Sequence, residues 1–163
     1  IRDKLREREL PFPLFTLGRN ATHVTEQFRQ TPGAVLLATG AAWEGFDFPG
    51  DCVSLLVIPR LPFAYPDALK EREREQYGSL RQFIQSVAVP EMQIKLRQGF
   101  GRAIRTESDT CVIAILDERA CRGRRYAQAV SEALPEMRRT GSLREVTKFL
   151  REKKPERYFE VER

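Results

Sequence analysis

No apolar run of this 163-residue chain approaches the length of a membrane span, about 20 residues, because charged residues make up 31% of it and interrupt every such run. The opening, Ile1 to Leu10, is charged where a secretory leader would be apolar. Both absences predict a soluble, cytoplasmic protein with no membrane partner. Cysteine is scarce: only Cys52, Cys111 and Cys121 occur, an odd number, and no pair has the spacing of a metal knuckle. Reduced, structural thiols and no bound metal are expected. The single histidine, His23, lies in a polar stretch and reads as a surface or capping residue. No Gly-x-x-x-x-Gly-Lys-Ser/Thr occurs, so the chain lacks the loop that cradles the β and γ phosphates of a nucleotide and holds Mg2+ beside them.

What is present is enough for one compact domain, with 41% hydrophobic residues to form a core. A large multidomain enzyme is excluded. The net charge of +5 favours a polyanionic partner. Isoleucine at position 1 leads to the expectation that the sequence is a piece of a longer protein.

Apolar periodicity orders the chain. Residues 1–10 read as a charged helical lead-in, closed by Pro11 and Pro13. Leu14 to Leu17 is a short apolar strand, followed by a helix with Val24 and Phe28 four apart. Ala34 to Thr39, Cys52 to Ile58 and Cys111 to Leu116 are continuous apolar runs of strand length, the pattern of parallel strands covered on both faces. The predicted fold is therefore α/β, a mainly parallel sheet flanked by helices that binds ligands at strand carboxyl ends. The charge run Lys70 to Glu75 predicts a solvated helix face. A helix is expected near Tyr126 to Leu134, after a basic stretch, and Ser142-Leu-Arg-Glu145 has the spacing of a capping box.

Two segments have the composition of a site. Thr39-Gly-Ala-Ala-Trp-Glu-Gly-Phe-Asp-Phe-Pro-Gly50 leaves the carboxyl end of a strand. It reads either as a plain turn with packing aromatics, or as a ligand loop in which Gly40 and Gly45 admit close approach and Glu44 and Asp47 supply carboxylates. In Gln98-Gly-Phe-Gly-Arg-Ala-Ile-Arg105, a helix over Pro90 to Arg105 would put Gln98, Arg102 and Arg105 on one face. That stripe reads either as a surface face paired with acidic neighbours or as a triphosphate contact, since planar guanidiniums pair bidentately with phosphate. Gly99 and Gly101 each cost a helix about 1 kcal/mol, which close packing or ligand approach would explain.

Together the two segments resemble motifs of the DinG and XPD group of helicases. Leu36 to Gly50 is similar to motif V, with its Glu-Gly-x-Asp core, and Gln98 to Arg105 to motif VI, of the form Gln-x-x-Gly-Arg-x-Ile-Arg. Leu61-Pro-Phe-Ala-Tyr-Pro66, Asp109 and Asp117-Glu-Arg119 follow the same group in the same order, so the likeness runs from about Pro11 to Pro135. Ala41 and Ala42 depart from it, standing where bulkier or hydroxyl residues are common.

The resemblance implies the second RecA-like motor domain of an ATP-dependent DNA helicase of 5′ to 3′ polarity. It makes 1–163 one domain, with lead-in 1–10, core 11–135 and a helical extension 136–163. Within the whole enzyme it implies that Arg105 is the arginine finger, that Arg102 also reaches the γ phosphate, and that Gln98 meets that phosphate or the attacking water. Glu44, Gly45 and Asp47 would line the ATP cleft, and Thr39, Gly40 and Arg60 would contact single-stranded DNA. ATP and Mg2+ would be held mainly by the N-terminal RecA-like domain of the same parent, so the fragment alone should be inactive. Phe63 and Tyr65 could stack on bases or simply pack. Thr39, Glu44, Asp47, Gln98, Arg102 and Arg105 are expected on one solvent-open rim of the sheet. The alternative is a catalytically silent module that grips nucleic acid or a partner.

Overall fold

The computed structural model describes residues 1–8, 10–18, 20–39, Gly45, Phe48 and 51–159. Of the candidate residues, Gly40, Glu44 and Asp47 lie outside this set. The expected lead-in helix is α1 (Arg2–Arg6), ending before Pro11. Strands β1 (Leu14–Thr16) and β2 (Val35–Leu37) pair in parallel, Leu14 opposite Val35 and Thr16 opposite Leu37. Helix α2 (Ala21–Gln30) makes the crossover. It buries Thr25, whose hydroxyl donates to the Ala21 carbonyl at 2.7 Å, and leaves His23 exposed.

A second parallel pair is formed by β3 (Leu55–Ile58) and β4 (Val112–Ile115), from Leu55 opposite Val112 to Ile58 opposite Ile115. Mixed helices and parallel strands are thus as predicted, and consistent with a RecA-like domain. The described strands form two separate two-stranded ladders, where one sheet was expected. β3 is also not covered on both faces: Ile58 is buried, while Leu55 and Val57 are 48% and 44% exposed. A continuous apolar run records that a strand can be buried, not which faces find a neighbour.

Between β3 and β4 come α3 (Ala68–Glu75), α4 (Leu80–Phe83), a π-helical turn (Ile84–Ala88) and α5 (Val89–Ala103). The Asp67 carboxylate caps α3 by accepting from the Lys70 N–H at 2.8 Å, and α3 buries no residue, as its charge run predicts. Pro90 does not open a new helix, because helical backbone already runs in from Leu80. The wide π turn sits where an α-helix would clash with the proline ring and lose its N–H bond. Met92 and Leu96, one turn apart on α5, are fully buried. They join Ile58, Leu61, Tyr126, Val130 and Ala133 in one core, which packs α5 against β3 and against α6 (Ala127–Ala133). Gln93 fastens α5 to α6 by donating to the Ala129 carbonyl at 2.9 Å.

The last helix is α7 (Leu143–Lys153). Its N-cap is Ser142, but the expected capping box does not form: the Ser142 side chain makes no cap bond, and Glu145 pairs with Arg138 at 3.2 Å. A nearby guanidinium offers the carboxylate a charged partner in place of a single backbone N–H. Among the described residues no helix is long and apolar enough to cross a membrane.

Candidate nucleotide and nucleic-acid site

Gln98 and Arg102 lie four residues apart on α5, on one helical face as predicted, with Gln98 exposed and Arg102 half-buried. Arg105 is not on that face. The helix stops at Ala103, and Ile104 turns to extended backbone at φ −129°, ψ 113°. Three consecutive bonds to one carboxylate account for the exit. Asp109 accepts from the Arg105 N–H at 2.7 Å, the Thr106 N–H at 2.9 Å and the Thr106 hydroxyl at 2.9 Å. These donors, the Arg105 N–H foremost, hold the Asp109 carboxyl below its ordinary pKa. The exposed Arg105 side chain is thus carried on a loop fixed by Asp109 and leading into β4. Neither Arg102 nor Arg105 is without an interaction partner. The glycines inside α5 differ: Gly99 is buried, whereas a Cβ at Gly101 would meet nothing within 4 Å, so close packing does not explain Gly101.

The amino ends of β3 and β4 are tied together by Asp51. Its carboxylate accepts from the Thr110 N–H at 2.7 Å and from the Lys154 ammonium, which also donates to the Thr110 carbonyl at 2.6 Å. Lys154, just past α7, is 5% exposed. No feature of its local sequence distinguishes it from the other lysines, and sequence reasoning did not single it out.

A second aspartate ties the carboxyl ends. Asp117 follows β4, is 7% exposed, and accepts from the Leu61 N–H at 2.9 Å and from the Arg119 guanidinium at 2.7 Å. The Arg119 hydrogen bond, more than any other contact, keeps the Asp117 carboxyl far below the usual carboxylate range. Arg119 in turn lies over the rings of Phe63 and Tyr126, at 5.4 and 5.7 Å. Phe63 is therefore a packing residue, whereas Tyr65 is 84% exposed.

Of the residues expected on one rim, Glu44 and Asp47 lie outside the described residues and Thr39 follows a strand of the other ladder, while Gln98, Arg102 and the Arg105 loop adjoin one another at the end of α5. Arg60 stands exposed at the carboxyl end of the β3–β4 ladder, and Arg105 leads into the amino end of the same ladder. Thr39, exposed, follows the carboxyl end of β2. Asp51, at the amino end of β3, is next in space to Thr110. The residues assigned to DNA thus leave carboxyl ends, and the cations assigned to ATP precede an amino end. Element order forces this, because a helix leading into a parallel strand ends at that strand's amino edge. Gly45 is exposed, with open space where a Cβ would be. Among the described residues no cluster of His, Cys, Asp or Glu could hold a metal ion.

Comparison with known proteins adds a family to this geometry. Residues 1–137 match the model of the helicase C-terminal domain. The chain is 38% identical over 130 residues to the ATP-dependent DNA helicase YoaA of Haemophilus influenzae, covering 78% of this chain and 20% of that protein. It is 36% identical over 144 residues to the Escherichia coli protein of the same name, covering 86% and 22%. It is also 36% identical over 134 residues to the 3′-5′ exonuclease DinG of Bacillus subtilis, covering 80% and 14%. The chain therefore spans about a fifth or less of the length of these curated relatives.

Proposed function

Because the chain belongs to the helicase C-terminal domain family, we propose that it is the second RecA-like half of an ATP-dependent DNA helicase of 5′ to 3′ polarity. Its N-terminal partner domain in the same cytoplasmic parent would supply the phosphate-cradling loop and Mg2+. The matched span, residues 1–137, supports a motor core with 136–163 as an extension.

The observation that carries this reading is the division of the cations between the two ends of one ladder. Arg102 and Arg105 precede the amino end of β4, and Arg105 is held by Asp109 in a loop open to solvent. Arg102, one turn from Gln98 on α5, and Arg105 on the loop that follows would offer two guanidiniums to a triphosphate presented by a facing domain. They would stabilise charge as the phosphoryl group leaves, with Gln98 meeting the γ phosphate or the attacking water. Glu44, Gly45 and Asp47 would line the same cleft. At the other end of that ladder Arg60, and separately Thr39 and Gly40 following β2, would contact the phosphates of single-stranded DNA. Closing and reopening the cleft around each hydrolysis would then move a strand held at the far end.

The test is Arg105→Ala in the full-length parent. ATPase turnover should fall by about 10³ to 10⁵, the loss typical of an arginine finger, while single-strand affinity stays within a factor of about two. Arg105→Lys should rescue poorly, since an ammonium lacks the planar fork. Normal hydrolysis with weakened DNA binding would place Arg105 on a nucleic-acid surface and refute the assignment. It would favour the silent binding module.

A further inference from the structure

Beyond the residues already assigned, the basic stretch after β4 forms a defined projection at the carboxyl end of the β3–β4 ladder. Its base is closed: the Tyr126 N–H donates to the Arg119 carbonyl at 2.9 Å, and Arg119 is held by Asp117 while Tyr126 is buried in the core. Its tip is a tight turn. The Arg124 N–H donates to the Cys121 carbonyl at 2.9 Å, and Gly123 takes φ 77°, a left-handed conformation that favours glycine. A Cβ at Gly123 would meet nothing within 4 Å, so the turn stands clear of the body.

This projection presents Arg122, Arg124 and Arg125 to solvent. Among the described residues none of the three is ion-paired to a carboxylate, and Asp117 is committed to Arg119. Arg125 lies over the Tyr126 ring at 5.2 Å, but among the described residues no hydrogen bond, ion pair or ring contact uses the side chain of Arg122 or Arg124. Three like charges in four residues repel one another, and the exposed Glu118 can offset only one of them. Their field is directed outward, beside Arg60 on the same strand ends, with the exposed Tyr65 in the adjoining segment as a surface for a base. The end of the ladder also matters: the motif VI cations occupy the opposite one.

We infer that residues 121–125 form a phosphate-gripping loop that extends the single-stranded DNA path from Arg60 across the carboxyl edge of β3 and β4. The inference rests on the reading of the domain as a DNA motor. Because guanidinium–phosphate contacts read no bases, the loop should add affinity and salt dependence without sequence preference.

The experiment uses the full-length parent, a fluorescein-labelled oligo-dT and a mixed-sequence oligonucleotide of equal length, titrated over a range of salt. With Arg122→Ala/Arg124→Ala, Kd for both strands should rise about tenfold at 0.1 M salt. The slope of log affinity against log salt should become shallower by about 1.4, from two single-strand phosphate contacts at about 0.7 each. ATPase kcat at saturating DNA should be unchanged, and Arg122→Lys/Arg124→Lys should restore the slope. An unaltered Kd and slope overturns the proposal, and so does a fall in kcat without a change in Kd. Loss of affinity for only one of the two sequences also overturns it. If the unmodified parent fails to bind single-stranded DNA, the reading as a DNA motor fails with it. Matching circular dichroism spectra guard against misfolding, a small risk because only the backbone of Arg124, which alanine keeps, bonds to the rest of the turn.

Discussion

The two ends of the β3–β4 ladder solve one problem in different ways. At each end an aspartate joins the segments flanking both strands and meets a cation. At the carboxyl end Asp117 and Arg119 are two residues apart, and the guanidinium remains 45% exposed. At the amino end Asp51 and Lys154 are separated by 103 positions, and the lysine side chain is only 1% exposed. A local pair forms as soon as its turn forms. A distant one must recover the chain entropy of bringing α7 back to the strands, and it buries an ammonium that has no water to fall back on. The lock nearer the motif VI loop is therefore the one that depends on the extension.

The comparison can be broken most strongly at Lys154. Lys154→Met should destabilise the protein by about 2–3 kcal/mol, because the buried lysine is the shared donor of the Thr110 carbonyl and of Asp51, whose 39% exposed side chain recovers part of its hydration. Denaturant unfolding measures this, and a loss below about 1 kcal/mol would show the two locks to be equivalent.

Asp117→Asn should cost less, about 1–2 kcal/mol, since the amide can still accept from the Leu61 N–H and Arg119 can turn to solvent. It also sharpens the comparison through pH. The folded carboxyls of Asp117 and Asp109 lie below their unfolded value of about 3.9, so their stabilisation is complete above that pH and is lost as pH falls through the lower folded values. The native protein should therefore weaken below about pH 4, and Asp117→Asn should flatten that acid limb. An unchanged limb would mean that Asp117 is not the group titrating there.

The smallest effect concerns the thiols. Burial pushes Cys111, next to β4, up to about 11, whereas Cys121 is exposed on the arginine-rich projection. At pH 8 a disulfide reagent should label Cys121 fastest and Cys111 slowest. The raised Cys111 value should also make the native state lose stability above about pH 9, where the unfolded thiol ionises first. Equal labelling rates would mean that the strand edge opens freely.

Much of this was legible in residue order. The apolar runs marked all four described strands, though their paired portions are only three or four residues long. The spacing of Gln98 and Arg102 marked a shared helical face, and the mixed-sign run before Glu75 marked an unburied one. The same spacing argument failed at Arg105, because three bonds to Asp109 end the helix before that position and local periodicity does not register a capture from downstream. It failed again at Ser142, whose N–H donates to the Thr140 hydroxyl while Glu145 pairs with Arg138.

By itself the sequence determined the class of fold, the family, the lack of a phosphate-cradling loop and the chemical identity of the candidate site, since each follows from residue types at short, fixed spacings. Decided only in three dimensions were the burial of Lys154 against Asp51 and the bond from the Leu61 N–H to Asp117 that seats the base of the loop carrying Arg122 and Arg124. These features depend on contacts between residues far apart in the chain. Such contacts are selected by packing and by the cost of leaving a buried charge unpaired, and neither is written in any local pattern.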